Sequence, residues 1–166
     1  MRNHYNYVFD DLTLTYNFVT KNKILYRVAF IVDETFSSIS GDDIQNIYQF
    51  VVEKANANIE QYDPKVSKTI GNIIEQFFNQ KENSLIYISS NDKNKSRQRH
   101  KIFDRWYRSS KSKNDIIKID NIITIKSNDI EVDKIYTSFL LHKENPNKEK
   151  IIAIYNKIEH FLNEEK

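Results

Sequence analysis

The chain has 166 residues, of which 39% are hydrophobic and 29% charged, and a net charge of +2, the balance of one folded domain (1–166) rather than of a disordered segment. Cysteine is absent and glycine and proline number two each, which excludes disulfides, thiolate metal sites and cysteine catalysis and leaves little for glycine-rich phosphate loops. No stretch approaches a membrane span and the start, MRNHYNYVFDD, lacks the apolar run of a signal peptide, so a cytoplasmic protein is expected.

Residues 12–18, LTLTYNF, alternate apolar and polar side chains, the period of a half-buried strand, and 24–32 do the same. Lys21-Asn22-Lys23 between them is a short loop, so the two are expected to pair as an antiparallel hairpin. Residues 37–43 read as loop, and 47–54, IYQFVVEK, as a third strand, with a short helix from Asp42 as the alternative. At Asp63-Pro64 the aspartate can cap free amides and the proline suits a first helical turn. Val66, Ile70, Ile73, Ile74, Phe77 and Phe78 then gather on one side of a core helix. Gly71 in its middle costs about 1 kcal/mol against alanine, which points to close packing there.

Leu85-Ile86-Tyr87-Ile88 is a continuous apolar run, expected as a central strand buried on both faces. It leads into a basic segment predicted to be helical over 94–107. At about 100° per residue, Ile102, Phe103 and Trp106 share one face with Tyr107 at its edge, and Arg97, Lys101, Asp104 and Arg108 lie opposite. Arg99 falls about 20° from Trp106 on that wheel, so a guanidinium that cannot deprotonate points along the inward stripe. It needs a protein carboxylate, carbonyls or an anionic ligand, unless its stem covers the core while its head reaches solvent.

From 93 to 113 nine basic residues stand against Asp104 alone, a local balance of +8 that leaves −6 for the rest. A basic helix on an acidic body fits an anionic partner, nucleic acid or an acidic protein, and Tyr107 or Trp106 would stack on a base where exposed. The plain alternative is a solvated helix face. The anion-binding candidates are Arg97, Arg99, Lys101, Arg105 and Arg108.

After this segment 116–125 and 134–142 read as strands around a Ser127-Asn128-Asp129 turn. Asn145-Pro146 repeats the cap-and-proline start, before a terminal helix with Ile151, Ile154, Tyr155, Ile158 and Leu162 on one side. The expected fold is α+β, a mostly antiparallel sheet with about three helices packed on it.

Asp63-Pro64-Lys65-Val66 with Thr69-Ile70, Leu85-Ile86-Tyr87, Arg99 with Phe103, Trp106 and Tyr107, and Asn145-Pro146 together resemble a bacterial family catalogued as a domain of unknown function. The resemblance implies a common fold and draws attention to Arg99, with Phe103, Trp106 and Tyr107 as its structural motif; it supplies no activity. The chain departs from the family at Ser89-Ser90-Asn91-Asp92, where a Cys-Asp pair is the pattern.

His4, His100, His142 and His160 have no metal-ligand spacing. His100 is the weak catalytic candidate: beside Arg99 and Lys101 its imidazole would stay neutral to lower pH and could serve as a base in metal-free RNA cleavage, as in a toxin-like ribonuclease. Asp129, Glu131 and Asp133 could gather for a divalent cation but read first as turn residues, and Asp10-Asp11, Asp33-Glu34 and Asp42-Asp43 read likewise, as possible partners of Arg99. No metal and no cofactor is expected. A pocket for a small anion around Arg99 is the remaining alternative.

Overall fold

The computed structural model describes residues 2–40, 44–56, 61–89 and 95–164, apart from the side chains of 37, 40, 159 and 161–164. Asp42-Asp43, the loop acid Asp92 and the side chain of Leu162 thus lie outside the described residues.

Seven strands form one sheet: β1 (Tyr7–Asp10), β2 (Thr15–Val19), β3 (Leu25–Val32), β4 (Ile47–Lys54), β5 (Ser84–Ser89), β6 (Ile116–Ser127) and β7 (Ile130–His142), in the order β1-β2-β3-β4-β5-β7-β6. Every neighbouring pair is antiparallel except β4 and β5. Among the described residues the four α-helices are α1 (Thr35–Ser40), α2 (Pro64–Phe77), α3 (Ser96–Ser109) and α4 (Lys148–Glu164), and Lys111–Asn114 forms a short 3-10 turn. The fold is therefore α+β, with three long helices and one short one.

Side-chain alternation gives the sheet two cores. On one face α2 and α3 bury Val66, Ile70, Ile73, Phe103 and Trp106 against Val28, Phe50, Leu85 and Leu140. On the other, α1 and α4 bury Phe36, Ile151, Tyr155 and Ile158 against Ile47, Ile86, Ile123 and Phe139. Neighbours Leu85 and Ile86 thus face different cores, as a doubly covered central strand requires. The cover stops short of Ile88, which is 43% exposed rather than buried.

Local chemistry sets most of the boundaries. Asp63 caps α2 by accepting from the Lys65 amide at 2.9 Å, with Pro64 in the first turn. Asn128 and Asp129 both take positive φ, 51° and 62°, the tight turn that matches strand twist between β6 and β7. Segment 37–43 is corrected in its described part: 35–40 is helix α1, because Asp33 accepts from the Thr35 and Phe36 amides at 2.9 and 3.3 Å and Phe36 is fully buried. Strand β1 was not expected. It pairs with β2 because Asp10 accepts from the Leu12 and Thr13 amides, turning 11–14 into the hairpin bend and delaying β2 to Thr15. Asn145 does not start α4 directly. Its amide nitrogen reaches the Glu82 carbonyl at 3.0 Å and its oxygen accepts from the Asn147 amide at 2.9 Å, so the helix begins at Lys148.

Gly71 is where α2 meets α3. A Cβ there would lie 2.9 Å from the Ser109 carbonyl carbon, 3.0 Å from the Ser110 nitrogen and 3.1 Å from the Trp106 oxygen. All three are backbone atoms, so only glycine permits this crossing. Among the described residues, no helix is long and apolar enough to cross a membrane.

Candidate functional site

Helix α3 is seated by Phe103, which is fully buried and stacks on Tyr87 at 4.3 Å, and by Trp106, which is 9% exposed and meets Phe50 edge-on. Tyr107 lies at the margin, its hydroxyl donating to the Lys113 and Ile116 carbonyls at 3.0 and 3.3 Å. The three aromatic residues of the sequence motif are thus committed to holding the helix.

With the helix so placed, its polar residues divide between two sides. One borders a groove of about 600 Å³ between α3, the start of α2 and the ends of β3 and β4. Arg99, Lys101 and Arg105 come to it from α3 and Lys54 from β4, while Tyr26, Tyr87 and Trp106 are among its aromatic lining. Arg99 is half-buried there, along the inward stripe. Burial pushes the Tyr87 hydroxyl up in pKa, with Ser89 and, less strongly, the Arg99 charge pulling against that rise. Tyr62, at the rim, is 66% exposed and carries the Arg105 guanidinium 4.7 Å from its ring centre, a cation–π contact. Sequence reasoning passed over Tyr62; its position just before the Asp63-Pro64 cap, at the mouth of a helix, was the available signal. One carboxylate, Asp63, lines the groove among the described residues, and both its oxygens are engaged, by the Lys65 amide and by the Tyr5 hydroxyl at 2.6 Å.

The other side of α3 faces β6 and β7, and its charges are paired. Lys118, whose side chain is 8% exposed, bridges Asp104 at 3.3 Å and Asp120, and Arg108 bonds Asp104 at 2.7 Å. Ser138 donates to Asp120 at 2.7 Å. His100 points into this network: Nε2 is 3.7 Å from Asp120 and Nδ1 is 3.5 Å from the Ser138 hydroxyl. Its pKa is lowered, as the sequence predicts, but the cause differs. Burial comes first, with Lys118 assisting and Asp120 and Asp104 opposing. Burial also raises Asp120, yet hydrogen bonds from Lys118 and Ser138 and the charges of Lys118 and His100 outweigh it and leave the carboxyl below its ordinary range.

The predicted residues are therefore not one constellation. Arg99, Lys101 and Arg105 share the groove, His100 and Arg108 belong to the network, and Arg97 borders a separate cavity at the start of α3. His100 and Arg99 do not converge on one site. Asp120 and Lys118, the partners of His100 and Asp104, were missed because they arrive from a strand distant in sequence. Among the described residues, no three His, Asp or Glu side chains gather to hold a metal ion, Asp129, Glu131 and Asp133 included.

No curated protein and no solved structure matches the chain. A family model does match residues 62–157, the segment from the groove rim through α2, β5, α3, β6 and β7 into α4. With more than half its length matched, and both sides of α3 inside the match, the chain belongs to the family described as a family of unknown function (DUF6169).

Proposed function

We propose that this protein is a binding module that takes an anionic partner, single-stranded nucleic acid, in the α3 groove. The observation that carries this reading is the lining: Lys54, Arg99, Lys101 and Arg105 share one groove with aromatic rings, and its carboxylate, Asp63, is engaged within the fold. Cations along a groove track phosphates, and an exposed ring such as Tyr62 offers any base a stacking face, so binding of this kind has little sequence preference.

The test is anisotropy of labelled single-stranded oligonucleotides across a salt series. With four phosphate contacts, log affinity falls against log salt with a slope of about −3. Charge reversal at Arg99, Lys101 and Arg105 together abolishes the binding. An acidic protein partner would need the same cations but not the Tyr62 ring, so Tyr62→Ala separates the two. Running the RNA from the same tubes on a gel tests the ribonuclease alternative, in which His100 is the base and His100→Ala ends cleavage. Flat anisotropy at low salt removes the nucleic-acid reading.

A further inference from the structure

The sheet is covered on both sides along only part of its width. Tyr16, Phe18, Tyr26, Val28, Phe50 and Val52 of β2, β3 and β4 turn to the core under α2 and α3, so the residues between them point to the opposite face. On that face the cover formed by α1 and α4 ends at β4 and β5: no residue of β1, β2 or β3 belongs to its core. The bare half is open to solvent at Ile31, which is 53% exposed, and at Val51 and Ile88. Its residues stand in rows across the strands. Thr15, Ala29 and Val51 form one row, with Arg27 and Glu53 in the row on one side of it and Ile31 and Gln49 in the row on the other.

Two features of this face suit a second copy of itself. In these three rows the charges are one of each sign, Arg27 and Glu53, side by side at 3.6 Å. The relief has both a projection and a recess. Ile31 projects from β3, and at its row partner Gln49 a cavity of about 190 Å³ opens between the sheet and the two helices, lined also by Phe36, Ile86, Ile88 and Ile123. We infer that this face joins two copies of the chain, sheet on sheet, about a twofold axis that runs along the strands between β3 and β4. That axis lays β3 of one protomer over β4 of its partner. Arg27 then meets the partner's Glu53 and Glu53 the partner's Arg27, the small Ala29 lies against the larger Val51, and Ile31 reaches the mouth of the partner's cavity. A patch that matches itself under a twofold is what an isologous dimer requires, whereas a face of one charge sign would repel its copy. Four strands span only about 20 Å, the low end for a specific interface, so the dimer is weak, with dissociation on the order of micromolar. The groove opens on the other side of the sheet, at Lys54 and α3, so the inference does not rest on it.

The experiment is sedimentation equilibrium of the whole protein from about 1 to 300 µM, a range that brackets micromolar dissociation. The expected result is a rise from the monomer mass toward twice that value. Ile31→Asp, on a residue exposed in the monomer, abolishes the rise and leaves the urea midpoint of the dilute protein unchanged. Arg27→Glu presents two acids and Glu53→Arg two bases, so each alone dimerises about tenfold more weakly or worse. Mixed in equal amounts, the two variants associate with each other at least as tightly as the unmodified chain does with itself. That rescue separates pairing between copies from the pair within one chain, which both variants lose equally. A mass that stays at the monomer value across the range overturns the inference and leaves the face to a different protein, or its cavity to a small apolar molecule. A dimer that Ile31→Asp and both charge variants leave intact overturns it too, by placing the contact elsewhere.

Discussion

The two sides of α3 draw on one run of sequence and put their charges to different use. On the groove side Arg99, Lys101 and Arg105 border about 600 Å³ of open space. On the sheet side Asp104 and Arg108, with His100, close onto Lys118, Asp120 and Ser138. The difference comes from the neighbouring strands: β6 offers an ammonium and a carboxylate to one side, and the groove side faces aromatic rings. Charge within a helix therefore says little until the element across from it is known. Groove substitutions should change binding with little effect on stability, and network substitutions should do the reverse.

The strongest way to break that separation is to move the whole helix. Gly71→Leu forces side-chain atoms into the backbone of Ser109 and Ser110, so α3 must shift and both sides lose their geometry. A loss of about 3 kcal/mol in stability is expected by urea denaturation, the upper end for overpacking, together with loss of oligonucleotide binding by the folded fraction. Lys118→Met acts on the network alone. It leaves Asp104 and Asp120 without the ammonium between them, and because Asp104 is partly exposed and Asp120 about half exposed the cost should be about 2 kcal/mol, below that of breaking a fully buried pair. Adding Asp120→Asn should restore part of it, while groove affinity stays unchanged throughout. Tyr62→Ala is the counterpart on the groove side: affinity for single strands should fall by about 1 kcal/mol, the lower end for base stacking on an aromatic ring, with no change in the denaturation midpoint.

What the sequence disclosed follows the same division. The Asp63-Pro64 cap, the buried Leu85-Ile86 pair, the β6–β7 turn and the tight crossing at Gly71 were legible because each depends on one residue's local chemistry or on a period of two or 3.6. The helical angle of Arg99 put it on the same side of α3 as Trp106, and both line the groove. Strand β1 was not, because pairing with β2, ring contacts of Tyr7 and Phe9 with Tyr16 and the Tyr7 hydroxyl bond to Asn72 at 2.6 Å, all tertiary, give Tyr7–Asp10 its place. Helix α1 was hidden because its driving contact, Phe36 on Phe139, spans much of the chain. The network was hidden for the same reason. Lys118 and Asp120 look like solvent-facing residues of an alternating strand until α3 is laid over them.

The smallest expected effect is the most informative about what holds the sheet side together. His100 has its pKa lowered in the fold, chiefly by burial, so the unfolded chain binds its proton more tightly. Stability from this group is complete above the unfolded value of about 6.5 and is lost as pH falls from there through the folded pKa. Asp120 is also held low, so its contribution is lost only in a more acidic window, below its unfolded value of about 3.9. Urea midpoints measured from pH 7.5 to 5 should therefore decline gently, and His100→Asn should flatten the decline without altering the fall at lower pH. The balance is close, since a protonated imidazole 3.7 Å from Asp120 gains an ion pair as it loses solvation. A midpoint that rises on acidification through 6.5 would mean that the ion pair outweighs burial and that His100 belongs with the paired charges of the network. Groove binding discriminates further: affinity for a single strand should hold constant between pH 5 and 7.5 while the folding midpoint moves.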